Sequence, residues 1–162
     1  MSMATSLLAQ QYRTSYGAAR LNLRGIGTAE AHEVPEGRGS SANWITGHVV
    51  AMRGHVHRLL GIPVVEGTDA LGIYARGSTV PDEAAATAQR ALVRMWKESQ
   101  AAVEIALAAA SDDDLGCALD APDPLLGETV GSALAFFAFH EAYHVGQIGM
   151  TRRRLDMEGA IT

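Results

Sequence analysis

Ala133-Leu134-Ala135-Phe136-Phe137-Ala138-Phe139-His140-Glu141-Ala142-Tyr143-His144-Val145-Gly146-Gln147-Ile148-Gly149-Met150 is the stretch whose reading decides the fold. The run up to Phe139 is almost wholly apolar, and the run after His144 keeps a helical pattern. Residues four apart on a helix stand one above the other, with Cβ atoms about 5–6 Å apart. His140 and His144 therefore sit in mid-helix, turned to an interior, where both imidazoles can address one divalent ion. Buried imidazoles need polar partners. A metal supplies one, and the remaining ligands must come from elsewhere in the chain.

The rest of the composition agrees with a helical interior. Of 162 residues, 48% are hydrophobic, and Ala and Leu outweigh Val and Ile, which favours helix over sheet. A chain of this length is expected to form a single domain over 1–162. The net charge of −5 leaves no electrostatic footprint for nucleic acid. Cys117 is the single cysteine, so no intramolecular disulfide is available, as suits a reducing cytoplasm. No basic, then apolar, leader opens the sequence. The apolar run Leu134–Phe139 is far shorter than the roughly 20 residues that span a bilayer. A cytoplasmic protein with no nucleic-acid or membrane partner is expected.

Four long helices are predicted, over about 4–23, 41–60, 81–110 and 128–155. The first carries Leu7, Leu8, Tyr12, Ala19 and Leu23 as its stripe. A breaker-rich loop with Gly25, Gly27, Pro35, Gly37, Gly39 and a solvated His32 follows. The second helix is capped by Ser40 or Ser41 and stopped by Gly61 and Pro63. Its buried stripe is Trp44, Ile45, Val49, Met52, Val56, Leu59 and Leu60. His48 lies inside that stripe, and His55 shares the face about 10 Å further along, so one metal reaches one of them but not both. His57 falls on the opposite side and is expected in solvent. Residues 62–80 show no period and read as a structureless connection. Extended, these residues span about 60 Å, enough to return along a bundle whose second and third helices run parallel, or to form a lid.

The third helix is expected to start with Thr79 as cap and Pro81, Asp82 and Glu83 in its first turn. Leu92, Met95, Trp96, Val103 and Leu107 form its buried stripe. Residues 111–127 are read as loop, anchored by Leu115, Leu119 and Leu125, with Asp112, Asp113 and Asp114 as a solvated turn. In the fourth helix, Gly131, Gly146 and Gly149 each cost about 1 kcal/mol relative to Ala. Close approach of a neighbouring backbone is the expected compensation. Arg152, Arg153 and Arg154 complement the negative end of the dipole.

His48, His140 and His144 then project inward from facing helices. Three protein ligands with a fourth position open is the arrangement of a catalytic metal site. Imidazoles suit zinc, nickel, iron or cobalt rather than magnesium or calcium. His140-Glu141-Ala142-Tyr143-His144 also fits the H-E-x-x-H pattern of zinc proteases, with Glu141 as base. Eighteen residues follow His144 to Thr162, so the usual downstream third ligand is not expected, and no sheet is predicted to hold a peptide.

Two blocks carry a family resemblance. Asn43-Trp44-Ile45-Thr46-Gly47-His48-Val49-Val50 resembles the first-histidine motif of the DinB-like proteins. His140-Glu141-Ala142-Tyr143-His144-Val145-Gly146-Gln147-Ile148 resembles their His-x-x-x-His-x-Gly-Gln-Ile signature. The resemblance implies an all-α, up-down-down-up four-helix bundle with a long crossover between its second and third helices. It implies a divalent transition metal, zinc or nickel, on His48, His140 and His144, and a homodimer. It also implies a transferase joining a low-molecular-weight thiol to an electrophile. A hydrolase of small molecules, or a non-catalytic metal-binding bundle acting as sensor or scaffold, are the alternatives. Glu141 is the candidate catalytic base, although it projects about 100° from His140 and a salt link or a supporting contact competes for it. Gln147 and Tyr143 are expected to serve packing or structural hydrogen bonds.

Overall fold

A computed structural model describes residues 2–34, 37 and 39–160; Pro35 of the breaker-rich loop lies outside them. Four long helices dominate: α1 (Met3–Asn22), α3 (Ala42–Leu59), α4 (Gln89–Ala109) and α6 (Val130–Arg154). Two short helices, α2 (Thr28–His32) and α5 (Asp112–Gly116), join them. A 3₁₀ helix covers Thr68–Tyr74, and strands β1 (Ala118–Asp123) and β2 (Gly127–Thr129) pair antiparallel. The fold is mostly helical. One small two-stranded hairpin accompanies the helices. No helix among the described residues is long and apolar enough to cross a membrane.

Local chemistry sets the helix ends. The Ser41 hydroxyl accepts from Trp44 N at 3.1 Å, leaving the helix free to begin at Ala42, and Gly61 ends it with φ +64°, a conformation glycine adopts without strain. Thr129 and Ser132 form a reciprocal capping box at the start of α6. At its end Arg152 donates to the carbonyls of Asn22 and Glu158, at 3.2 and 2.7 Å, so the basic turn also ties down the neighbouring chain.

Each long helix packs against two others: α1 on α4 and α6, and α3 on α4 and α6. Their apolar stripes meet in two clusters. One holds Trp44, Ile45, Val49, Leu92, Trp96 and Ile148; the other holds Leu8, Tyr12, Val103, Leu107, Leu134 and Phe137. Full burial of a Leu or Phe side chain contributes about 1.5–3 kcal/mol, so these stripes supply the main driving force.

Several expectations need correction. α4 begins at Gln89, not near Pro81. Thr87 explains the delay: its N–H donates to Tyr74 Oη and its carbonyl accepts from Asn43 Nδ2, at 2.9 and 3.0 Å. Both backbone groups are committed sideways and cannot join a helical ladder. Asp82 instead closes a short turn by accepting from Ala85 N. The 62–80 connection is not structureless, since its 3₁₀ helix buries Leu71 and Tyr74 against α3. Residues 111–127 contain α5 and the hairpin. Leu115 is buried, but Leu125 is exposed and anchors nothing, while Asp114 completes the α5 capping box with Ser111. His32 closes α2 and is half-buried rather than solvated. Among the helical glycines, a Cβ on Gly131 would stand 3.1 Å from Leu115 O, the expected backbone approach. Gly149 faces the Asn22 side chain instead, and Gly146 faces open space.

Candidate metal centre

His48 comes from the first half of α3, where every residue from Ala42 to Val50 is buried. His140 and His144 come from one face of α6, one turn apart. His48 and His144 are buried, and His140 is half-buried. Their Nε2 atoms converge. His140 Nε2 lies 3.3 Å from His48 Nε2 and 3.1 Å from His144 Nε2. One ligand atom from each of the three lies within 4.8 Å of the others.

The opposite ring nitrogens determine what those Nε2 atoms can do. His48 Nδ1–H donates to the carbonyl of Tyr74 at 2.8 Å, and His144 Nδ1–H donates to Gln147 Oε1 at 2.7 Å. Both rings therefore turn an Nε2 lone pair inward. Lone pairs this close repel unless a cation lies among them, and one proton can bridge only one pair. Two nitrogens about 2.0–2.1 Å from a tetrahedral zinc would stand about 3.3 Å apart, which the observed spacings match. The residues fit a divalent metal. Burial pushes the His140 imidazole down to about 4, helped by His144 and then His48. Burial also lowers His144, partly opposed by its bond to Gln147. Both shifts keep the rings neutral, as ligation requires.

The support around the ligands was only partly legible. Tyr74 supplies the carbonyl that orients His48, and its Oη donates to Asn43 Oδ1. Its ring lies so close to α3 that a Cβ on Gly47 would be 2.5 Å away. Gly47, beside His48, was the available signal of such an approach. Trp44 stacks on the His48 ring, 5.0 Å between centroids and 7° between planes. Gln147, expected to serve packing, orients His144 and donates through Nε2 to Tyr143 Oη. Tyr143 is exposed rather than interior.

Glu141 goes elsewhere. Its carboxylate takes two bonds from Arg53, from Nε at 2.5 Å and Nη2 at 2.8 Å, with both side chains buried. Arg53 Nη2 also donates to Gln100 Oε1, and the guanidinium lies over the Tyr12 ring. The salt link competes successfully for Glu141, and among the described residues no carboxylate lines the cavity at the histidines. Arg53 was missed, though an arginine amid Val49, Val50 and Val56 signals a buried counter-charge. His55 is exposed and stacked on Phe137, away from the three-histidine cluster. His57 is buried, against expectation, with Nδ1–H donating to Pro63 O and Nε2 accepting from Ser99 Oγ at 2.6 and 2.8 Å. The far side of α3 faces α4 and the start of the 62–80 connection, not solvent.

A cavity of about 470 Å³ opens over the three imidazoles. Trp44, Met52, Phe136 and Phe137 form its apolar wall, with Tyr143 and Arg76 completing the lining. These features define a class: a helical protein with an inward three-histidine cluster beneath a cavity. The chain belongs to the DinB superfamily, whose sequence profile matches residues 11–148. It matches no curated protein and no solved structure at a significant level.

Proposed function

We propose that this protein is a divalent-metal-dependent enzyme that transfers a low-molecular-weight thiol to an electrophile. The convergence of three Nε2 atoms beneath a cavity of about 470 Å³ carries this reading. His48, His140 and His144 would hold a zinc or nickel ion, which would supply the Lewis-acid chemistry that makes a thiol acidic near neutral pH. The chain's own groups bind and orient. Trp44 and Phe136 exclude water from the sulfur, and Tyr74 O and Gln147 hold the imidazoles in the ligating tautomer. The sulfur lone pair forms the new bond, the electrophile's leaving group departs with its electron pair, and the thiol proton passes to solvent.

Thiol transfer is favoured over hydrolysis because no carboxylate among the described residues lines the cavity. A thiol with an ordinary pKa of about 8.5 needs no general base once its thiolate is stabilised, whereas activating water usually employs one.

The helices are read as an up-down-down-up bundle. Tyr12 meeting Leu134, and Asn22 meeting Val145, support parallel α1 and α6. Asn43 meeting Gln89, and Arg53 meeting Gln100, support parallel α3 and α4. Arg13 meeting Glu104, with Tyr16 near Trp96, supports α1 running against α4. Phe139, Tyr143 and Met150 stand exposed on α6 and are the face through which a homodimer would form, testable by light scattering.

The functional test is metal content of untagged protein beside a His140→Ala/His144→Ala variant, followed by thiol conjugation to a chromogenic aryl halide. About one transition metal per chain, lost with activity in a variant that stays helical, is expected. Equal metal content in both proteins would remove the site, and metal without turnover on any thiol would remove the transferase.

A further inference from the structure

Among the described residues, Arg76 is the only charged side chain lining the cavity over the histidines. It is exposed, and among the described residues it has no ion-pair or hydrogen-bond partner. The guanidinium of a solvent-facing arginine needs no partner, so its freedom alone means little. Its mounting means more.

Arg76 occupies the second position of a turn closed by Ser78 N donating to Ala75 O at 3.0 Å, with Gly77 at φ +81° next in line. That turn is pinned on both sides to groups that build the centre. On one side is Tyr74, fully buried, its carbonyl on His48 and its Oη on Asn43. On the other, Ser78 Oγ accepts from Nε1 of Trp44, the indole stacked on His48. Among the described residues, a single cation is thus carried on a braced turn at a cavity lined otherwise by the three imidazoles, Tyr143 and apolar side chains, with no carboxylate, in a chain of net charge −5. Guanidinium presents a planar fork of donors that matches a carboxylate in two parallel bonds.

We propose that Arg76 is a specificity residue that captures the carboxylate of the incoming substrate, so that the preferred thiol is a mercaptocarboxylate. The apolar spacer between sulfur and carboxylate lies along Met52 and Phe136. This rests on the thiol-transfer reading for the sulfur, but the carboxylate half stands apart from it.

The zinc-loaded protein is titrated with 3-mercaptopropionate, 1-propanethiol and succinate, following the combined fluorescence of Trp44 and Trp96 and, independently, heat of binding. Arg76→Ala and Arg76→Lys are compared with the parent, each first shown to be helical and to hold its metal. 3-Mercaptopropionate is expected to bind the parent about tenfold tighter than 1-propanethiol. Arg76→Ala should erase that preference while leaving 1-propanethiol unchanged, with Arg76→Lys in between because a point charge replaces the fork. Equal preference in the parent and Arg76→Ala overturns the proposal, as does failure of the parent to bind any of the three. Arg76-dependent succinate binding with no thiol binding upholds the anion site and rejects thiol transfer, so the two ideas fail separately.

Discussion

Arg53 and Glu141 are both buried, one on each of the two helices that carry the histidines. Their mutual attraction and the extra bond to Gln100 offset the cost of removing two charges from water. Removing one partner does not restore that water. Glu141→Gln should therefore destabilise the fold by about 3 kcal/mol, in the range for breaking a buried pair, as read from urea unfolding. The folded fraction should keep its full metal content, because Glu141 bonds to Arg53 and lies outside the cavity. Loss of metal from a well-folded variant would return Glu141 to the site. His140 and His144 were legible at this scale because four-residue spacing is a local property of a helix. His57 was misread for a related reason. Rotation about the α3 axis was read correctly, but whether that side meets solvent or α4 is not a local property.

The 3₁₀ helix Thr68–Tyr74 is the element on which the site depends most, and periodicity did not disclose it. Its sequence is short, and a 3₁₀ turn carries weak patterning of its own. What holds it is tertiary: Leu71 and Tyr74 are buried, and the Tyr74 ring occupies the space left by the missing side chain of Gly47. Gly47→Ala should push the ring outward and draw the Tyr74 carbonyl away from His48. Overpacking of this kind costs about 1–3 kcal/mol, seen as a lower Tm. Losing a ligand's orienting bond weakens metal binding about 10–100-fold, measurable against a chromophoric chelator. An unchanged metal affinity would mean that His48 is held without Tyr74. The same network delays α4 to Gln89, since Thr87 gives its backbone groups to Tyr74 and Asn43. Pro81, Asp82 and Glu83 form a sound helix start by propensity, and side-chain bonds from distant residues outweigh it.

For the molecule as a whole, the clustered imidazoles couple stability to pH. The His140 imidazole is held at about 4 in the folded chain, against about 6.5 when unfolded. Between those values the unfolded chain binds more protons, so stability rises with pH. It is fully present above about pH 6.5 and is lost as pH falls toward 4. The metal-free protein should show a Tm that drops across this window, and His140→Gln should flatten the slope. A metal-loaded sample should hold its Tm to lower pH until protons displace the ion. A metal-free Tm independent of pH from 7 to 4 would contradict the packing of neutral rings.

The sequence alone determined the four long helical stretches and the three histidines, apart from the late start of α4. Apolar spacing, capping residues and the four-residue separation act within one helix and need no knowledge of neighbours. Tertiary structure decided what each inward polar group met: Arg53 for Glu141, Ser99 for His57, the Tyr74 carbonyl for His48, and the bare mouth position for Arg76. The three bonded partners lie 26 to 88 residues away in sequence, on other elements. Their pairing depends on which helix faces cover one another, and that is settled by packing the whole core at once.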